Sequence, residues 1–298
     1  MDRIGTVLKM QDYIRKHFKE EDFRIENICH HIGYSRRHAE RMFKEMTGKT
    51  LQEYVNAVCL SQSARQLSDT DESILEIALK SHFQSHEGFT RSFGRKFHIA
   101  PASYRRNPVP IPLFVQYPVS HYEALCRYKE EDRMKNELSM CMVTAMERPA
   151  RKLIYLPSEN AGDYLSYCEE KGCEWEGLLN SINEKFDAAA LAELPPFLTE
   201  EGKSNLAAGV EVPLEYDKPL PQGYRVADLE ACVMLYFQGE PYEDENDFCK
   251  AIEEVYAAVQ KYQPERYGYT FAYDKAPSYN FGADTETGAK IAVPAVKK

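Results

Sequence analysis

Residues 74–106 read ILEIALKSHFQSHEGFTRSFGRKFHIAPASYRR, and the order of features in this stretch decides the architecture of the front of the chain. Ser73 is placed to cap a helix that carries Ile74, Ile77, Ala78 and Leu79. A turn at about Ser81–Ser85 follows, then a second, basic helix from Glu87 to Phe97, and Pro101 opens a last short turn ending at Tyr104-Arg105-Arg106. The same plan occurs once before. Ile25, Ile28 and Ile32 mark a short helix, and Gly33-Tyr34-Ser35 makes a turn with Ser35 at the capping position. A helix from Arg36 to Met46 then stops at Thr47-Gly48. Between the copies lies a longer helix, about 51–68, with Leu51, Tyr54, Val55, Val58, Ala64 and Leu67. Ahead of both, Ile4, Val7, Leu8, Ile14 and Phe18 form one face of a first helix. A short apolar helix, a tight turn and an Arg-bearing helix, twice in series, is a doubled helix-turn-helix.

Past Arg106 the character of the chain changes. Asn107-Pro-Val-Pro-Ile-Pro, with a further Pro118, is extended and helix-breaking, and marks a boundary near 107–121. The net charge of −10 averages two unlike halves. Residues 1–106 hold 18 Lys and Arg against 14 Asp and Glu, and residues 107–298 hold 19 against 33. The front can face a polyanion that the back repels. No run approaches the ~18 apolar residues of a membrane span, and the charged start, MDRIGTVLKMQDYIRKHF, has no apolar signal core. The expected compartment is therefore the cytoplasm, with no membrane partner. The eight cysteines form no C-x-x-C pair, which fits free thiols in a reducing compartment and no metal site.

After 140 strand-like runs appear. Cys141–Met146 and Arg151–Leu156 read as a first pair, split at Arg148-Pro149, and a helical stretch over about 160–187 holds the only tryptophan, Trp175. Leu206–Val212, Tyr224–Asp228 and Ala231–Phe237 are further strands. Phe248, Ile252, Val255, Tyr256, Val259 and Tyr262 make an amphipathic helix, and Ile291-Ala-Val-Pro-Ala-Val closes the chain as a strand. Strands and helices alternate in two similar halves, so this part is α+β with antiparallel pairing.

The stretch Ile28-x-x-x-Ile32-Gly-Tyr-Ser-x-x-His-x-x-Arg41-Met-Phe-Lys-x-x-Thr47-Gly, with Ile74 to Arg105 above, resembles the AraC/XylS regulator signature over about 90 residues. The resemblance implies two recognition helices entering successive major-groove segments about 34 Å apart on one face of duplex DNA. Carried over position by position, it makes Arg37, Glu40 and Arg41 base-reading candidates in the first helix, and His86, Glu87, Thr90 and Arg91 in the second. Arg can bond guanine bidentately and Glu can accept from cytosine. Arg36, Lys44, Lys49, Arg95 and Lys96 are assigned to phosphates. Three positions depart from the family pattern: His82 and His98 stand where glycine is usual, and Gly94 breaks a basic pair.

Leu220-Pro-x-Gly-Tyr-Arg-Val-Ala, then Gly239-x-Pro-Tyr-Glu, the amphipathic helix and the terminal Ile-Ala-Val-Pro resemble the GyrI-like effector-binding domain. That family commonly follows an AraC-type module, and its groove takes bulky, often aromatic or cationic compounds. The expected fold is thus multidomain. An all-α double helix-turn-helix (1–106) and a linker and lead-in (107–139) precede an α+β GyrI-like domain (140–298) with two pseudo-symmetric β-α-β-β units. Sixteen of twenty tyrosines lie after residue 107, and tyrosine combines a flat apolar face with a polar tip. Tyr155, Tyr236, Tyr279 and Trp175 are the aromatic groove candidates. Val210 and Val212 should face the helices, so alternation sends Glu211 to the groove, where it could meet a ligand cation. Asn280 stands where the family carries an acid, and an amide neither neutralises a cation nor acts as a base.

The expected function is a ligand-responsive, sequence-specific transcription regulator that is not an enzyme and needs no cofactor. Its partners are double-stranded DNA, a small-molecule effector and, further, RNA polymerase. Two other readings compete: a detoxifying, compound-modifying enzyme, for which no nucleophile-His-acid set is evident, and a rear domain that binds a protein through its charge of −14.

Overall fold

The apolar spacing of the front half folds as helices in the order read from it. They are α1 (Arg3–His17), α2 (Ile25–Ile32), α3 (Arg36–Thr47), α4 (Leu51–Asp69), α5 (Ile74–Lys80), α6 (His86–Phe97) and α7 (Pro101–Arg106). The computed structural model describes residues 3–20, 22–116, 119 and 140–298. The chain divides into two units, Met1–Glu123 and Ala124–Lys298.

In the first unit α4 serves two cores. Leu51, Tyr54, Val55 and Val58 on its first half pack with Val7, Met10, Ile14, Ile28 and Phe43 from α1–α3. Leu60, Ala64 and Leu67 on its second half pack with Ile77, Phe89, Phe93, Phe97 and Tyr104 from α5–α7. Each fully buried Leu or Phe contributes about 1.5–3 kcal/mol, so the Phe89, Phe93 and Phe97 row anchors α6. Its outward face is thereby fixed. Helix starts are set by capping boxes, Thr50 with Glu53 and Ser73 with Glu76. Ser35 occupies the N-cap of α3 in extended conformation, but its side chain makes no capping bond, which corrects the role expected of it. Ser85 caps α6 instead, accepting from the Gly88 N–H.

The proline segment begins as an arm laid on the helices rather than a free linker. Ile111 and Leu113 are buried in the second core. The Phe114 N–H donates to Ser61 Oγ at 2.7 Å, the Val119 N–H donates to Gln11 Oε1 at 3.1 Å, and Phe114 meets Tyr54 edge-on at 4.8 Å. Residues 117, 118 and 120–139, which hold Pro118, Cys126 and the rest of the expected lead-in, lie outside the described residues.

The second unit is one antiparallel sheet. Its strands are β1 (Cys141–Arg148), β2 (Arg151–Pro157), β3 (Ala190–Glu193), β4 (Leu206–Pro213), β5 (Arg225–Leu229), β6 (Cys232–Gly239), β7 (Tyr269–Phe271), β8 (Ser278–Asp284) and β9 (Gly288–Lys297). They lie in the order β1-β6-β9-β8-β3-β4-β2-β5, with β7 paired to the far end of β9. The order reads alike from both ends: an edge strand, then the first, third and second strands of a β-α-β-β run, meeting at β8 and β3. β1 and β2, adjacent in sequence and expected to pair, do not. β1 pairs β6, and β5, which leads into β6, pairs β2. Each edge strand therefore closes the opposite half.

The described α-helices of the unit pack on one face. The helical stretch expected over 160–187 is two short helices, α8 (Tyr164–Lys171) and α9 (Glu174–Asn180), parted at Gly172. They cover Ile154, Ala208, Val210 and Val212. α10 (Phe248–Lys261) covers Leu235, Phe237, Ile291 and Val293. The other face carries Leu153, Tyr155, Ala192, Ala207, Met234, Tyr236, Tyr279 and Ala292. Among the described residues no helix lies on it.

Candidate nucleic-acid interface and open sheet face

Burial of Ala39, Met42 and Phe43 turns the opposite side of α3 outward. Arg37, Arg41 and Lys44 are exposed there, at helical intervals of four and three. In α6 burial of the phenylalanines leaves Glu87, Arg91 and Arg95 exposed at intervals of four, with His86 exposed in the first turn. These are two parallel constructions, a cationic stripe on the second helix of each helix-turn-helix. Tyr34, which was not singled out from the sequence, stacks on His38 at 5.0 Å, and His38 Nδ1 lies 3.4 Å from Arg41 Nη2. The turn thus helps to orient the arginine. Arg36, expected on phosphate, is paired with Glu26. Lys49 is exposed and Lys96 half-buried.

Two expected base readers face elsewhere. Glu40 Oε2 accepts the Leu51 N–H at 3.2 Å, so its carboxylate sits at the positive start of α4 and does not project as a base reader. Thr90 lies beside the buried phenylalanine row. Its Oγ1 is out of solvent and has no hydrogen-bond partner among the described residues.

The two family departures at histidine are explained by backbone geometry. His82 (φ 62°) and His98 (φ 57°) are the non-glycine residues with positive φ among those described. They adopt the left-handed conformation that glycine takes without cost. His82 is held there by a ring-nitrogen contact of 2.6 Å to the Phe18 carbonyl; His98 is an exposed C-cap.

On the open sheet face, alternation places Glu211 as expected, but the residue is closed off. It is 6% exposed. Oε2 pairs with Arg151 Nε at 2.6 Å and Oε1 accepts the Tyr279 hydroxyl at 2.8 Å. Arg151 is fully buried and also donates to the Glu230 carbonyl at 2.8 Å. Burial opposes the Arg151 charge, but the Glu211 carboxylate outweighs it and holds the guanidinium pKa up. Burial and the same carboxylate push the Tyr279 hydroxyl well above its ordinary range. The expectation that Glu211 meets a ligand cation is corrected: both its oxygens are spent on protein partners.

Tyr155 and Tyr236 lie on the same face as Glu211, but at 5% and 7% exposure they are buried among its side chains and do not present the free aromatic surface expected of them. Trp175 does not lie on that face. It packs edge-on against Tyr167 in the core between the helices and the sheet, which removes it from the expected groove. Asn280 is also on the helix side. Its neighbour Tyr279 faces the open side, and two successive strand residues cannot share a face. The Asn280 side chain bonds Tyr256 of α10, and its Oδ1 accepts the Gly282 N–H.

Sequence reasoning missed the polar centre of this face. Asp187 Oδ2 accepts the Tyr236 hydroxyl and Arg148 Nη2, each at 2.5 Å, and Oδ1 lies 3.3 Å from Lys290 Nζ. Arg148 Cζ stands 5.3 Å from the Phe186 ring and 5.7 Å from Tyr236. Lys290 Nζ stands 4.7 Å from Tyr236 and 4.5 Å from Phe281. Burial raises the Tyr236 hydroxyl pKa, helped by Asp187. One signal was available: Lys290 interrupts the apolar terminal strand one residue before inward-facing Ile291, which alternation reads as opposite-facing. Among the described residues no three His, Cys, Asp or Glu side chains gather to hold a metal, and no helix is long and apolar enough to cross a membrane.

Residues 28–107 match the helix-turn-helix domain family. The chain is 38% identical over 108 residues to the right origin-binding protein of Escherichia coli K12, a match covering 36% of this chain and 37% of that protein. It is 38% identical to the transposon Tn10 TetD protein of Escherichia coli, over 34% of this chain and 74% of that protein. It is 42% identical to the probable transcription factor PqrA of Proteus vulgaris, over 30% of this chain and 73% of that protein. The match with the right origin-binding protein covers little more than a third of that protein's length. With the doubled helix-turn-helix in place, residues 28–107 matched by the family and the TetD protein and PqrA covered over 74% and 73% of their lengths, the chain belongs to the AraC family of helix-turn-helix, DNA-binding transcription regulators.

Proposed function

We propose that the chain is a ligand-responsive regulator in which α3 and α6 read neighbouring major-groove segments and the rear unit is a GyrI-like effector-binding domain. The observation that carries the DNA reading is the repeated stripe, Arg37, Arg41 and Lys44 on one helix and Arg91 and Arg95 on the other, each backed by a buried apolar row. Arg37, Arg41 and Arg91 bond base edges. Lys44, Lys49, Arg95 and Lys96 neutralise phosphates, and His86 and Glu87 tune site choice from the first turn of α6. The rear reading rests on the strand order, alike from both ends, and on a sheet face with an aromatic and charged centre over which no helix lies among the described residues. An effector there changes operator affinity or contact with RNA polymerase.

The test is duplex binding by the full chain against a selected operator and a scrambled one, over a range of salt. Arg91→Ala should weaken operator binding by about 1–3 kcal/mol and relax preference at one base position, whereas Lys49→Ala should weaken both duplexes alike and reduce the salt slope by about 1. Equal, salt-independent losses for both variants, or no duplex binding at low salt, would sink the assignment.

A further inference from the structure

We propose that the open face of the sheet selects organic anions, in particular a flat aromatic ring bearing a carboxylate, over organic cations of the same shape. This rests on the reading of the rear unit as an effector-binding domain and names the chemistry that it takes.

Two observations remove the cation. A cationic ligand is held by a carboxylate counter-ion or by the faces of aromatic rings. Glu211 is sealed against Arg151 and Tyr279 and offers neither a free oxygen nor access. The box formed by Tyr236 and Phe281, their rings 6.3 Å apart and inclined at 27°, already holds a cation of the protein's own, Lys290. An incoming ammonium or pyridinium would have to displace that side chain and would be repelled by it.

The same group favours an anion. Arg148 and Lys290 carry two positive charges against the single carboxylate of Asp187, and this surplus sits against low-dielectric aromatic walls. The Arg148 side chain is nine-tenths buried and its Nε has no partner among the described residues. Lys290 is one-third exposed, with ammonium protons beyond the one that Asp187 takes. Next to them is a soft apolar shelf. In register across the sheet, Met142 lies opposite Gln238, itself opposite Lys290, and Met146 lies opposite Met234. Met142 and Met146 are 71% and 43% exposed. Methionine adapts to flat ligands. A ring lying on this shelf brings its carboxylate to Lys290.

The experiment compares two probes of one shape, 2-naphthoate and N-methylquinolinium, by calorimetric titration of the full chain. It is repeated with Lys290→Met and Lys290→Glu after circular dichroism has matched each fold to the parent. The expected result is naphthoate binding at least tenfold tighter than the cation, a loss of about tenfold or more with Lys290→Met, and reversal of preference with Lys290→Glu. Phe281→Leu, which keeps every charge, should weaken both probes without changing their order. Preference for N-methylquinolinium by the parent chain, or an unchanged ratio in Lys290→Glu, overturns the inference and leaves the effector reading standing. Binding of neither probe to the parent or to any variant overturns both.

Discussion

In the front unit the positions with positive φ, Gly33, Gly48, His82 and His98, stand in the turns and at the ends of its helices. Gly33 and Gly48 end α2 and α3 at φ 72°, and a Cβ at either would touch nothing within 4 Å. The cost of Gly33→Ala is therefore conformational, about 1–2 kcal/mol, seen as a lower urea midpoint with an unchanged slope. His98 occupies the equivalent place after α6 with a side chain and the same handedness, so His98→Gly should raise stability by about 1 kcal/mol. Gly94→Ala should add about as much, because its Cβ would come no nearer than 4.0 Å to the Ile99 carbonyl. If His98→Gly lowers the midpoint, the strain assigned to the left-handed histidine is wrong. The histidines were legible as departures from a pattern. That both must be left-handed was not, because φ is imposed by the chain that leaves each helix.

At the scale of elements, the sheet is held across its strands by one buried ion pair, Arg151 of β2 with Glu211 of β4, and by Tyr279 of β8. Truncating one partner strands a charge in the core. Arg151→Met alone or Glu211→Leu alone should cost about 3–5 kcal/mol, and the double replacement should recover most of that. Denaturant melts of the three variants decide it, and additive losses would mean that the pair is not the connection between these strands. Alternation placed Glu211 on the correct face from sequence. Its partner was invisible, since Arg151 stands 60 residues earlier at the mouth of another strand. The register of β2 against β4 brings them together. Alternation also could have excluded Asn280 once Tyr279 was assigned. Trp175 could not be settled this way, because a short helix beside a sheet offers it the core as readily as a groove.

For the whole molecule, charge divides the labour. The front unit carries the cationic stripes and the rear carries the acidic excess, so duplex affinity should fall steeply with salt. The rear also carries a pH response. Glu176 on α9 has a carboxyl pushed up to about 7 by burial. Its native form holds a proton that the unfolded chain releases near the ordinary carboxylate value, so the contribution of Glu176 to stability is full below that value and is lost as pH rises through about 7. Glu176→Gln should flatten thermal midpoints measured between pH 5 and pH 7.5; an unaltered slope would remove Glu176 as the source. Helix order, the doubled helix-turn-helix, the two-unit plan and the alternation of strands were determined by the sequence itself, because each follows from apolar spacing, caps and prolines within about 20 residues. Tertiary structure alone decided which strand pairs which, that the proline arm packs on the helices, that Glu40 serves α4, and that Arg148, Asp187, Tyr236, Phe281 and Lys290 meet. Those choices depend on contacts between residues far apart in the chain, and local propensity carries no information about them.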